Sequence, residues 1–345
     1  MEIPIINIYY LLCYAWDKLE EKDVVNVKEE DHTKLLDLFA KILINGMNHL
    51  IRKGLDRNYI DIKEDSKRIK GKINFNETLK RNLLVRCEIS CEFDDFSYNI
   101  LHNRIIKTVI GGLVRNDEVD QELRDELNKI YRLLKEIDEI RLSSKIFNAV
   151  KLNRNNYFYD FLIKVCRLIY ENYLITEETG KGKFRDFIRD EVKMRMLFED
   201  FVRNFYRKEQ NEFSVTRELI AWNVKAENDE DMSYMPRMET DISLKSKSKK
   251  IIVDTKYYKE AIKGQYKNKE KLISNNLYQM FAYINNIENK GGLNKKCTGI
   301  LLYPTVKKDL DLKYKIPNHN LQIKTINLNQ EWKKIHKDLL SVIMT

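Results

Sequence analysis

Pro236-Arg-Met-Glu-Thr-Asp-Ile-Ser-Leu244, then six residues of Lys and Ser, then Ile251-Ile-Val-Asp-Thr-Lys-Tyr-Tyr258 form the stretch from which the fold is read. Two apolar runs of β type flank a short basic turn, which signals a hairpin. Successive strand residues point to opposite faces, so Asp254 and Lys256 share one face, and Glu239 and Asp241 share one on the preceding strand. Three carboxylates and an amine are therefore expected to converge. Oxygen ligands such as Asp241 and Asp254 suit Mg²⁺, which keeps several waters and binds through one or two carboxylates together with substrate phosphate. Lys256 beside them is placed to orient a water or to stabilise negative charge growing on a phosphate. Metal-assisted phosphodiester hydrolysis is the chemistry these residue types fit.

The spacing Pro-x4-Asp-x12-Asp-x-Lys fits the PD-(D/E)xK nuclease signature, with Arg237 to Thr240 separating Pro236 from Asp241. In a chain that is 33% charged such a pattern also arises by chance, so its surroundings carry the weight. A predicted helix over 187–207 carrying Glu199 precedes the hairpin, and one carrying Gln279 and Tyr283 follows it, the α-β-β-α order of that fold. Gln279 and Tyr283 are four apart and share a helix face, resembling the Q-x-x-x-Y element that accompanies this motif in several nuclease branches. Basic charge concentrates here too. Ten lysines between Lys245 and Lys271 face only Asp254, Glu260 and Glu270, with Tyr257, Tyr258 and Tyr266 interleaved. That composition suits a track along a phosphate backbone, with Lys259, Lys263 and Lys267 as its candidates.

The rest of the chain bounds these readings. At 345 residues, 43% hydrophobic, with 11 Gly and 4 Pro, it is a folded protein of two domains rather than a fibrous or disordered one. The formal charge of +9 favours a polyanionic partner. The most apolar run, Ile3 to Trp16, includes Asn7 and three tyrosines and falls short of the roughly 18 apolar residues a spanning helix requires. It also lacks the basic region and cleavage site of a secretory signal, so a cytoplasmic protein is expected. Cys13, Cys87, Cys91, Cys166 and Cys297 form an odd, scattered set without a C-x-x-C pair and read as reduced core residues. The five histidines are as dispersed, which speaks against a zinc or haem enzyme.

Along the chain, Ile5, Tyr9, Leu12 and Trp16 mark one face of a helix. From Tyr59 to Phe96 short β-type runs follow (Tyr59 to Ile62, Lys72 to Phe75, Leu84 to Phe93). Helical periodicity returns over Asn99 to Val114, from Val119 to Ile137, and over Tyr157 to Asn172. The charged remainder of the 119–137 helix reads as a solvated face. Thr176 to Arg185, polar and Gly-containing, is the linker candidate, which sets domains of 1–180 and 181–345. No repeat at a period of 20 to 50 residues is present.

Seven blocks in order resemble the McrC nuclease subunits of the McrBC modification-dependent restriction systems. They are Ile5-Ile-Asn-Ile-Tyr-Tyr-Leu-Leu-Cys-Tyr-Ala-Trp16, Ile69-Lys-Gly-Lys72, Asn103-Arg-Ile-Ile-Lys107, Pro236-Arg-Met-Glu-Thr-Asp-Ile242, Val253-Asp-Thr-Lys-Tyr-Tyr-Lys259, Asn276-Leu-Tyr-Gln279 and Gly299-Ile-Leu-Leu-Tyr-Pro304. The resemblance implies an α+β or α/β chain: a mixed N-terminal domain that binds and stimulates a GTP-hydrolysing McrB-type AAA+ ring, then a restriction-endonuclease-like domain whose mixed sheet is flanked by helices. It further implies Mg²⁺ on Asp241 and Asp254, Lys256 as the catalytic lysine, Glu239 and Gln279 in support with Glu199 as a further candidate, and double-stranded DNA containing modified cytosine as substrate. The family usually has Ala where this chain has Thr255, a position expected to point away from the metal side of its strand. GTP would be bound by the partner, since the chain contains no G-x-x-x-x-G-K-[ST] loop. Two other readings stay open on the sequence. One is a non-enzymatic GTPase activator with a vestigial nuclease site; the other is a basic DNA-binding scaffold, which gives no reason for carboxylates beside the lysines.

Overall fold

The computed structural model describes residues 3–19, 34–153, 156–175, 182–184, 188, 190–225, 227–257, 262–266, 269–305 and 309–344. The chain divides into two compact units, one of residues 1–22 with 186–345 and one of residues 23–185. Among the described residues no helix is long and apolar enough to cross a membrane.

The structure corrects the expected 1–180 domain at its start, because helix α1 (Ile5–Ala15) belongs to the unit that carries residues 186–345. The reason lies in its own sequence. Ile6, Asn7, Ile8, Tyr9, Leu11, Leu12, Cys13 and Tyr14 are all buried, and a helix that is apolar all round has to be surrounded rather than laid on one surface. The stripe expected to be its buried face includes Ile5 and Trp16, which are only half-buried. Asn7 Nδ2 donates to the carbonyls of Leu328 (2.9 Å) and Gln330 (2.8 Å), and the rings of Tyr10 and Tyr14 stack on Trp332 at 4.4 and 5.5 Å.

The unit of residues 23–185 holds α2 (Leu35–Lys53) and an antiparallel sheet of order β1-β3-β2, with β1 Asn58–Ser66, β2 Lys72–Ile73 and β3 Ile89–Ser97. Between β2 and β3 the expected extended runs end early. Asn74 Oδ1 accepts from the Glu77 N–H and caps the short helix α3 (Phe75–Lys80). Leu83–Arg86 then forms a 3₁₀ turn bounded by Asn82 (φ 52°) and Cys87 (φ 57°), whose left-handed backbone cannot continue a strand. Cys87 is exposed there, whereas the other four cysteines are buried as expected. Helices α4 (Leu101–Val114), α5 (Gln121–Leu133), α6 (Ser144–Asn148) and α7 (Tyr157–Glu171) follow. Buried Ile130, Leu127 and Leu123 of α5 face inward while its acidic and basic residues stay outside, the periodicity read from the sequence. Residues 182–184 of the linker candidate form β5 (Gly182–Phe184) against β4 (Tyr173–Ile175); its remaining residues lie outside the described set.

The other unit continues with α8 (Glu191–Glu209), β6 (Ser214–Thr216), β7 (Leu219–Ile220), β8 (Met238–Glu239), β9 (Ile242–Lys245), β10 (Lys250–Thr255), β11 (Ile262–Tyr266) and β12 (Lys269–Leu272). Helix α9 (Ser274–Ile287), β13 (Thr298–Thr305), β14 (Asp311–Ile316), β15 (His319–Asn327) and α10 (Trp332–Ile343) complete it. A mixed six-stranded sheet has the order β14-β15-β13-β10-β9-β6, parallel at β10/β13 and β13/β15 and antiparallel elsewhere. The predicted hairpin is β9–β10, closed by the Ser246 N–H on the Lys249 carbonyl (2.9 Å). Strand β10 is buried along its whole length, as a central strand covered on both faces must be. Ile252 faces the cluster built from Met280, Tyr283, Ile284 and Ile287 of α9. On the other face, Tyr257 just beyond β10 meets Phe198 of α8 with ring centroids 6.3 Å apart. Helices thus cover both faces of the sheet at the position where Asp254 and Lys256 emerge.

Candidate active site

Asp254 is the penultimate residue of β10. Its side chain is fully buried, Lys256 Nζ lies 2.8 Å from Oδ2, and neither carboxylate oxygen receives a well-aligned hydrogen bond. Burial, then the charge of Asp241, pushes the Asp254 carboxyl up to about 7 against the lowering effect of Lys256. A buried acceptor with spare lone pairs beside a second carboxylate is a place for a cation. Among the described residues no group of three or more His, Cys, Asp or Glu side chains forms a metal cluster. The expected convergence of three carboxylates is corrected to two aspartates, a donor set that fits Mg²⁺ with its remaining positions left to water and phosphate.

The correction has a local cause. Thr240 interrupts the strand: its N–H donates to the Glu218 carbonyl (3.0 Å) and its hydroxyl accepts from the Glu218 N–H (3.1 Å). Glu239 therefore lies on β8, paired with β7, while Asp241 precedes β9, and the two no longer alternate on one strand. Asp241 Oδ2 instead accepts from the backbone N–H of Thr255 (2.8 Å) and from its hydroxyl (3.0 Å). The expectation that Thr255 stands apart from the metal side is corrected in the same way, because its hydroxyl holds one of the two aspartates. Thr255→Val keeps the shape and deletes that donor, and should lower stability by about 1 kcal/mol in urea unfolding.

Lys256 donates to Gln279 Oε1 (2.8 Å), Gln279 Nε2 donates to the Tyr283 hydroxyl (2.7 Å), and Tyr283 donates to the Glu239 carbonyl (2.8 Å). Burial pushes the Tyr283 phenol up to about 12, so it remains a donor at neutral pH. Glu239 meets this series through its backbone, while its carboxylate lies 3.5 Å from Arg237 Nη2. Glu199, on α8, receives Arg203 Nη1 at 3.0 Å and pairs with Arg217; burial and the Asp241 charge both raise its carboxyl. Arg217 pairs with Glu199, lies 3.8 Å from Asp200 Oδ1 and also feels the Glu239 charge, and sequence reasoning misses it, since a lone arginine after a three-residue strand carries no signal.

The basic track divides. Lys250 turns inward, donating to Ser243 Oγ (2.6 Å) and pairing with Glu218, which also accepts from Lys290 (2.8 Å). Burial alone would raise the Glu218 carboxyl; hydrogen bonds from Lys250, Lys290 and Ser243 outweigh it and hold it down to about 2. Lys250 and Lys256 are thus committed to internal partners. Lys245, Lys247 and Lys249 are exposed at the hairpin turn. Lys259 and Lys267 lie outside the described residues, and only the backbone of Lys263 lies within them.

With the geometry in place, three comparisons bear on it. The family model described as McrBC 5-methylcytosine restriction system component matches residues 7–304. The Escherichia coli (strain K12) protein described as type IV methyl-directed restriction enzyme EcoKMcrBC is 35% identical over 340 residues, covering 99% of this chain and 97% of that protein. A solved chain of the refined half-complex from the tetradecameric assembly of Thermococcus gammatolerans McrB AAA+ hexamers with bound McrC superposes with a TM-score of 0.62 at 14% identity, covering 99% of this chain and 76% of that one. The last is a similarity of fold.

Proposed function

Since the chain belongs to the McrBC 5-methylcytosine restriction family as an McrC-type subunit, we propose that it is the Mg²⁺-dependent endonuclease of a GTP-dependent complex that cuts DNA containing modified cytosine. The observation that carries this reading is the buried Asp254 with open acceptor sites, set beside Asp241 and Lys256 at the mouth of a helix-flanked mixed sheet. Asp241 and Asp254 are the residues that would hold the metal. A divalent cation bound there supplies Lewis acidity toward the scissile phosphate and toward an attacking water. Lys256 is held between Asp254 and Gln279, and its ammonium stabilises the charge that accumulates on the phosphate oxygens. Thr255 keeps the Asp241 carboxylate turned to the site.

The unit of residues 23–185 is the proposed surface for an McrB-type AAA+ GTPase, whose GTP hydrolysis it stimulates. Ile69 in the β1–β2 connection, Phe75 and Leu79 on α3, and Leu84 and Val85 on the 3₁₀ turn before β3 are all exposed, and large apolar side chains left to solvent in one stretch of chain suit an interaction site. The Thermococcus assembly is described as McrB hexamers with bound McrC, which supports the same pairing here.

Methylated and unmethylated plasmid should be incubated with the chain, Mg²⁺, its GTPase partner and GTP, beside Lys256→Ala. Cutting restricted to methylated DNA, dependent on partner and GTP, and lost in the variant is the expected result. Stimulated GTP hydrolysis with no cutting under any condition would move the chain to the activator class.

A further inference from the structure

We propose that Tyr283 is a positioning residue that fixes which way the Gln279 amide faces, and thereby whether Lys256 finds an acceptor. The functional half of this inference rests on the nuclease reading above; the orientation of the amide does not.

An amide side chain presents an acceptor and a donor of nearly the same shape, and packing alone does not choose between them. Here the choice is made at the far end of the hydrogen-bonded series. The Glu239 carbonyl can only accept, so the Tyr283 hydroxyl spends its one proton there (2.8 Å). The oxygen of Tyr283 then has only lone pairs to offer toward Gln279, and Nε2 must donate to it (2.7 Å). That leaves Gln279 Oε1 facing Lys256 Nζ (2.8 Å), an ammonium that has nothing but donors. Every link permits one direction, and the polarity set by a backbone carbonyl on β8 reaches Lys256 beyond β10 through helix α9. Tyr283 is 5% exposed, so water does not readily replace its hydroxyl. Without that hydroxyl Nε2 loses its acceptor and only the Lys256 contact still selects the orientation of the Gln279 amide, so the flipped state, which turns two N–H groups toward a cation, becomes accessible.

A glutamate in place of Gln279 has two equivalent oxygens and needs no orienting partner, which isolates the function of Tyr283. Wild type, Tyr283→Phe, Gln279→Glu and the double variant should be compared as full chains with partner and GTP. Tyr283→Phe is expected to lower the cleavage rate about tenfold in the wild-type background, with DNA affinity unchanged, and to change nothing further in the Gln279→Glu background, however active that background is. An equal loss in both backgrounds would show that the hydroxyl only supports the packing of α9 and would overturn the proposal. A second readout is independent of cleavage. The side-chain ¹⁵N amide protons of Gln279, identified by their absence in Gln279→Glu, should exchange slowly with solvent in the wild type and markedly faster in Tyr283→Phe, where Nε2 has lost its acceptor. If the wild type cuts no DNA, the nuclease reading falls, and the amide signal still decides this one: an unchanged signal in Tyr283→Phe overturns it.

Discussion

Asp254→Asn is expected to reduce DNA cleavage about a thousandfold or more and, in the metal-free chain, to increase stability at the same time. The loss follows from removing one of the two carboxylates that would hold the cation. The gain follows from burial. With its carboxyl pushed up to about 7 in the folded chain and near 3.9 when unfolded, Asp254 holds a proton in the native state over a pH range where the unfolded chain has lost it. Stability therefore falls as pH rises from about 4 to about 7, and the deficit is fully present above that window. The substituted amide carries no titrating proton, so Asp254→Asn should gain up to about 4 kcal/mol over the wild type at pH 8 and almost nothing near pH 4. Urea unfolding in EDTA at the two pH values measures both numbers. A gain of equal size at pH 4 and pH 8 would mean that ionisation of Asp254 is not what costs stability. Stimulation of the partner's GTP hydrolysis should be unchanged, because the change lies in the unit that does not carry the proposed partner surface.

Deleting residues 1–22 should leave residues 186–345 unable to fold, an effect on stability larger than that of Asp254→Asn or Thr255→Val. Helix α1 contributes Ile6, Ile8, Tyr9, Leu11, Leu12, Cys13 and Tyr14 to the core of that unit. At about 1.5 to 3 kcal/mol for each large apolar side chain, their loss is on the order of 10 kcal/mol, as large as the whole net stability of a typical domain. The deletion also strips polar partners. Asn7 no longer satisfies the Leu328 and Gln330 carbonyls, Tyr14 no longer donates to Glu209 Oε1 (2.6 Å), and Asn204 Nδ2 loses the Tyr14 and Ala15 carbonyls. Circular dichroism and tryptophan fluorescence of the 186–345 fragment should show no cooperative transition, while residues 1–22 joined to 186–345 through a Gly/Ser linker should restore one. A fragment of 186–345 that unfolds cooperatively by itself would show α1 to be a surface attachment.

What can be read in the sequence is of short range. The alternation that puts Asp254 and Lys256 on one face is set by the backbone of a single strand, the basic turn between two apolar runs specifies the β9–β10 hairpin, and the four-residue spacing of Gln279 and Tyr283 is the pitch of one helix. The family blocks add order to these pieces without giving their contacts. The same alternation fails at Glu239 and Asp241, because Thr240 is clamped to Glu218, a residue far back in the sequence that no local pattern connects to it. It also fails at α1, where periodicity marks a helix and cannot say which neighbours will surround one that is apolar on all sides. Charge counting places Lys250 on a phosphate track; the pocket formed by Glu218 and Ser243 draws it inside, as only a buried carboxylate in reach can. Strand alternation gives Thr255 no part in the site, yet the broken strand before Asp241 brings a carboxylate within reach of its hydroxyl. Periodicity, hairpin and motif are properties of the chain over a few residues, since they follow from backbone geometry and side-chain type. Which carboxylate meets which donor, which lysine is buried and which way the Gln279 amide faces depend on groups brought together across many residues, and so are decided by packing alone.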